Sequence, residues 1–168
     1  GCFILNGSSS FIDLGADTSL EFGSDDFSVS LWFRMDNNPV ETSPVLFSKG
    51  VSGSTGIMIN IEDNVVAAYV DNSSGNPDLK CTTTVNDNDW HNVVLIRKGD
   101  VYQLVLDTFE EANVTLTGRS ITTKDNTLIG KYGGNNNYFD GKIGAVQIYN
   151  RGLYAKIAPP GTSLFDYF

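Results

Sequence analysis

Cysteine, histidine and basic residues are scarce in this sequence, and each scarcity removes a class of chemistry. Of 168 residues only two are cysteines, Cys2 and Cys81. They lie far apart with no CxxC spacing, which excludes a thiol redox motif and a cysteine zinc site and leaves one disulfide open. The single histidine, His91, gives little to a nucleophilic triad or a lyase, both of which depend on a positioned base. No serine sits in a G-x-S-x-G elbow, and no glycine loop has the spacing that cradles phosphate. Lysine and arginine number 11 against 20 acidic residues, a net charge of -9. Such a surface repels nucleic acid and anionic membrane, so neither is expected as a partner. No run approaches the roughly 20 apolar residues of a spanning helix. Helical periodicity never lasts three turns, and a short turn at 151–157 is the best helical candidate.

What the chain has is alternation. From Phe27 to Met35, Phe27, Val29, Leu31, Phe33 and Met35 alternate with Ser28, Ser30, Trp32 and Arg34, which describes a strand with one apolar face. Trp32 falls on the polar side. Similar short runs at 56–61, 65–70, 79–85, 91–97, 101–106, 114–117 and 142–149 are separated by clusters such as Glu62-Asp63-Asn64 and Lys98-Gly99-Asp100. Strands at this spacing predict an all-β, two-sheet antiparallel jelly-roll sandwich in one domain. Residues 1–158 form that domain. Residues 159–168 form an apolar tail, and Leu164, Phe165, Tyr167 and Phe168 are expected to pack on the domain or on a neighbour as assembly contacts.

Two Asn-rich stretches, 71–78 and 131–138, have the composition of long exposed loops. Sugars are held by aromatic faces and by amide or carboxylate groups that bond their hydroxyls. Tyr132 and Tyr138 flank Asn135, Asn136 and Asn137, while Asn72, Asn76 and Asp78 populate the other stretch. These eight are the candidate carbohydrate-binding residues. The alternative is that they only build turns.

The order of motifs resembles the laminin-G-like branch of the concanavalin A-like lectin and glucanase superfamily. The opening from Phe3-Ile4-Leu5-Asn6-Gly7 to Asp13-Leu14-Gly15 is similar to that family's first hairpin, and Phe27-Ser28-Val29-Ser30-Leu31-Trp32-Phe33 to its aromatic strand. Leu46-Phe47-Ser48-Lys49-Gly50 resembles the strand and turn that follow. Asp89-Trp90-His91-Asn92-Val93 resembles its Trp-His strand, which gives His91 a structural role. Leu128-Ile129-Gly130 and the run from Phe139-Asp140-Gly141 to Arg151-Gly152-Leu153 resemble its close. The resemblance implies one structural calcium ion between the first hairpin and the last strand. Gly144 stands where the family's Asp lies, and Asp13 or Asp140, with Asp17 and Asp25, would supply the carboxylates instead. Glucanase relatives carry catalytic carboxyls on one strand as Glu-x-Asp-x-Glu. No such run occurs here: Glu62-Asp63 and Glu110-Glu111 read as turns.

A non-catalytic, lectin-like module binding a glycan or surface polymer through loops at one rim is the leading expectation. The second is a structural component of an extracellular assembly or virus particle, a homo-oligomer or a partner of other proteins. Either role belongs outside the cell, on a cell surface or on a virus particle. The third is a hydrolase or lyase with clustered carboxylates in a groove.

Overall fold

The alternation at Phe27–Met35 becomes a nine-residue strand, with every odd-numbered side chain in the core and Trp32 exposed. The computed structural model describes residues 1–36, 42–50, 56–70, 77–135 and 137–153. In chain order the strands are β1 (Phe3–Asn6), β2 (Ile12–Asp13), β3 (Phe27–Met35), β4 (Val45–Lys49), β5 (Ile57–Glu62), β6 (Val65–Val70), β7 (Leu79–Thr84), β8 (His91–Lys98), β9 (Val101–Leu106), β10 (Phe109–Thr115), β11 (Thr127–Ile129) and β12 (Asp140–Tyr149). A single 3-10 turn at Thr18–Leu20 is the only helical element among the described residues. The expected helical turn at 151–157 is absent over 151–153, and the remainder lies outside the described residues.

Two six-stranded antiparallel sheets stack on one core. Sheet A runs β1-β12-β3-β8-β9-β10 and sheet B runs β2-β11-β4-β5-β6-β7. Phe27, Phe33 and Phe139 from sheet A and its approach meet Phe47, Ile59 and Val70 from sheet B, all at 0% exposure. Burying each large apolar side chain is worth roughly 1.5–3 kcal/mol, so this layer dominates stability. The all-β, two-sheet sandwich expected from the alternation is the fold observed.

The register gives the sandwich two ends. Thr127, Lys49, Ile57 and Val70 pair in sequence across sheet B and mark its lower end. Ile129, leading to residues 130–139, and Val65, leading from the Asp63–Asn64 turn, lie toward the upper end. The upper end of sheet A carries Asn6, Asp140, Met35, His91 and Leu106. Gly141 in this row has φ +142, and a Cβ there would strike the Arg34 carbonyl oxygen, so the close approach of β12 to β3 depends on the missing side chain.

The two long sides differ. Along β7 and β10 the sheets are tied by Glu111, which accepts from the N–H and hydroxyl of Thr82 (both 2.9 Å) and from those of Thr83 (3.3 and 2.6 Å). Glu110 and Glu111 therefore lie in a strand rather than in the turn expected for them. The turn is Asp107–Thr108, both at positive φ. On the opposite side, Phe3, Ile12, Leu14, Ile129, Val146 and Ile148 line an open apolar trough between β1/β12 and β2/β11.

Candidate functional site: the outer face of sheet A at its upper end

Alternation along β3 sends Ser28, Ser30, Trp32 and Arg34 to the outer face of sheet A. The middle of that face is closed: Ser28, Ile96 and Val105 are 0–2% exposed, although Val101 at its lower end is 41% exposed, and the Ser28 hydroxyl donates to the Arg151 carbonyl (3.0 Å) and accepts the Leu153 N–H (2.8 Å). The upper half is open. Trp32 is 38% exposed, and Trp90, just before β8, is 40% exposed.

The neighbours of Trp32 explain its exposure. Its cross-strand partners are Gly144 on β12 and Asn92 on β8. Gly144 offers no side chain to cover the ring, and the β12 ladder breaks into a bulge between Gly144 and Gln147. Asn92 is turned into the sheet, its amide donating to Ser30 Oγ (3.3 Å) and the Leu31 carbonyl (3.1 Å). One pair farther up, Arg34 stands directly opposite Lys142. Continuing the Phe33–His91 register by one residue sets Trp90 beside Arg34. The result is an indole platform flanked by an amide and two cations, which suits a sugar ring and its polar substituents.

The rim above this face is built from the second Asn-rich stretch. Lys131 Nζ lies 4.7 Å from the Phe11 ring centroid and 5.2 Å from that of Tyr138, and the two rings are 6.2 Å apart. Asn135 Oδ1 accepts the Asn137 N–H (3.2 Å), and the Asn137 amide donates to the Ser43 carbonyl (3.0 Å). Both therefore shape the turn, while Tyr132 and Tyr138 are half-buried. Asn136 lies outside the described residues.

The other stretch departs from Val70 and returns at Leu79, at the lower end of sheet B, whereas residues 131–138 follow Ile129 at the upper end. The two stretches leave sheet B at opposite ends. Asp78 stitches its own strand ends, accepting the Val70 N–H at 2.7 Å while its N–H donates to Ala68 O at 3.0 Å. Asn72, Asn76, Leu164, Phe165, Tyr167 and Phe168 lie outside the described residues. Trp32 is exposed beside half-buried Arg34 and Lys142, and the signal for Trp32 was its parity with Ser28 and Ser30.

A sequence model of the concanavalin A-like lectin/glucanases superfamily, of laminin G type, matches residues 6–156. The chain belongs to that superfamily. None of the curated proteins matches it by sequence. Among solved structures it is similar to the CBM40 module of the Ruminococcus gnavus IT-sialidase bound to α2,3-sialyllactose, with TM-score 0.74, 16% identity and 92% of each chain covered. Domain 4 of AbnA, a GH43 extracellular arabinanase from Geobacillus stearothermophilus in complex with arabinotriose, gives TM-score 0.70 at 17% identity, over 93% of this chain and 73% of that one. Domains LG4-5 of the mouse laminin α1 chain give 0.65 at 17% identity; the match covers 91% of this chain and 44% of the laminin fragment. At such identities the likeness is one of fold.

As a member of this superfamily the chain is a concanavalin A-like sandwich in which Glu62, Glu110 and Glu111 are engaged in structural contacts. Glu62 accepts from the Tyr69 hydroxyl and lies 3.8 Å from Lys80. Glu110 accepts from Gln103 (2.5 Å) and Asn113 (2.6 Å), and Glu111 ties β10 to β7. His91 has Asp107 at 2.7 Å from Nδ1 and Asp87 at 3.0 Å from Nε2. Burial alone would lower its proton affinity, but those two carboxylates outweigh it and the pKa is raised. An imidazole engaged at both nitrogens has no lone pair to offer a substrate proton.

The calcium implied by the superfamily was expected on Asp13 or Asp140. Asp13 Oδ1 accepts the Gly15 N–H (2.7 Å), and both its oxygens accept from the Asn126 amide (3.0 and 2.8 Å), so donors rather than acceptors surround it. Asp17 likewise accepts the Ser19 N–H at 2.8 Å. Asp140 faces Asp36; burial and then that like charge raise its pKa. Among the described residues no three acidic, His or Cys side chains converge. These side chains do not assemble the six to eight oxygens calcium takes.

Proposed function

We propose that the chain is a non-catalytic, lectin-like module that recognises a glycan or surface polymer outside the cell, through the open upper half of sheet A and its bordering rim. The observation that carries this reading is Trp32: an indole 38% exposed on the outer face of sheet A, with side-chain-free Gly144 on one flank and Asn92 on the other. A carbohydrate-binding module and an arabinanase domain of the same fold, solved with sialyllactose and arabinotriose, support it. Binding to an array of neutral and acidic glycans tests it. Wild-type chain binds a subset, and Trp32→Ala loses that binding while keeping its far-ultraviolet circular dichroism. An array without any bound glycan overturns the reading.

The apolar trough lined by Phe3, Ile12 and Val146 favours a second reading, a structural component of an extracellular assembly or virus particle. In that case Leu164, Phe165, Tyr167 and Phe168 are contacts with this domain or another copy. Light scattering on the full chain and on one truncated after Pro160 decides it: an oligomer that falls apart on truncation is a building block, and a monomer in both forms is not.

A further inference from the structure

The basic residues of this acidic chain are mostly committed to the protein itself. Arg97 gives its guanidinium to the carbonyls of Gly99, Gly23 and Arg119 at 2.7–3.0 Å. Buried Lys49 donates to Asp125 O at 3.3 Å. Lys80 pairs with Asp63 at 2.8 Å. Lys131 lies against Phe11 and Tyr138, and Arg151 against Tyr149.

Arg34 and Lys142 have no such employment. Neither has a carboxylate within ion-pair distance among the described residues. They are direct cross-strand partners, an arrangement in which like charges cost stability. Arg34 is half-buried, and its Nε is enclosed without an acceptor, a donor that the protein itself leaves unsatisfied. The adjacent carboxylates, Asp36 and Asp140, face each other at the rim rather than neutralising this pair. Lys124, on the loop before β11, is the other described cation without a partner, and it stands apart from the indole platform.

A guanidinium edge and an ammonium one strand apart, beside an exposed indole, match a planar carboxylate attached to a sugar ring. We infer that the upper outer face of sheet A selects glycans bearing a carboxylate, hexuronic or sialic acids, with the ring on Trp32 and the carboxylate between Arg34 and Lys142. This rests on the glycan-binding reading and names its ligand class. The fold itself does not choose, since relatives were solved with both an acidic and a neutral oligosaccharide.

The test is isothermal calorimetry on the full chain with 3′-sialyllactose, a trigalacturonate and lactose, after the array. At least one acidic sugar binds about tenfold more tightly than lactose, the increment of one charge-assisted contact. Arg34→Gln and Lys142→Gln each lower the acidic-to-neutral affinity ratio, the double variant brings it near one, and Lys124→Gln leaves it unchanged. Equal affinity for acidic and neutral sugars, with Trp32 still required, overturns the inference and leaves the glycan reading standing. A preference that survives in the double variant also overturns it. No glycan bound in the calorimeter or on the array overturns both.

Discussion

The Nδ1 nitrogen of His91 lies 2.7 Å from Oδ2 of Asp107, joining the start of β8 to the turn between β9 and β10. Asp107 also accepts the Asn92 N–H at 2.8 Å, so one carboxylate closes both a side-chain and a backbone contact. Asp107→Ala leaves the buried imidazole facing a gap, and a loss of about 2 kcal/mol is expected in urea unfolding. The pH dependence has a definite sign. The folded pKa of His91 is raised above its ordinary 6.5, so its stabilisation is complete below about 6.5 and is lost as pH rises through the higher folded value. Melting temperatures measured from about pH 6 to pH 9 should fall for the wild type and stay flatter for His91→Gln.

Glu111 provides the matching test on the far side of the sandwich. Burial raises its pKa, but hydrogen bonds from Thr83 and Thr82 outweigh that and the net shift is downward. Its stabilisation is present above the ordinary value of 4.5 and disappears as pH falls through the depressed folded value. Glu111→Ala should lower stability by about 1–3 kcal/mol at neutral pH, with the difference from wild type shrinking in acid. An unchanged difference at acid pH would show that packing, not the carboxylate, joins the two edges.

The fate of these two residues shows what was legible in the sequence. Strong period-2 runs such as Phe27–Met35 specify their strands because one face is buried along their whole length. Glu110-Glu111 reads as a turn because two adjacent acids favour solvent, yet Asp107 and Thr108 take the positive φ values and make the turn. β11, at three residues, is too short for any period to register, and only its likeness to the family's close reveals it. The two Asn-rich stretches look alike in composition, and nothing local says that they leave sheet B at opposite ends. The Arg34–Lys142 pairing is equally hidden, since it depends on the β3–β12 register across more than a hundred residues.

The cysteines give a prediction that needs no variant. Cys2 is exposed, Cys81 is buried, and they are not bonded to each other. Burial, with Glu111 and Asp107 adding to it, pushes the Cys81 thiol up to about 12, so it stays protonated and unreactive. A maleimide should add to one thiol per native chain and to two in denaturant, and reduction should leave the mass unchanged. Two rapid additions to native protein would mean that β7 opens readily.

Asp140 carries the last prediction, because its environment opposes its charge. Burial, then the charge of Asp36, raises its pKa above the ordinary 3.8, so the folded state is penalised by the ionised carboxyl and stability falls as pH rises through that raised value. Asp140→Asn removes the repulsion and keeps the shape, and a small increase in melting temperature is expected at neutral pH in the presence of chelator. The sign would reverse if a cation sat between the two carboxylates, since the variant would then lose a ligand. Melts of both proteins in calcium and in chelator separate the cases. Coinciding wild-type melts with a stabilised variant fit a like-charge pair, whereas a wild type stabilised by calcium and a variant blind to it would restore the calcium site that the side chains here do not assemble.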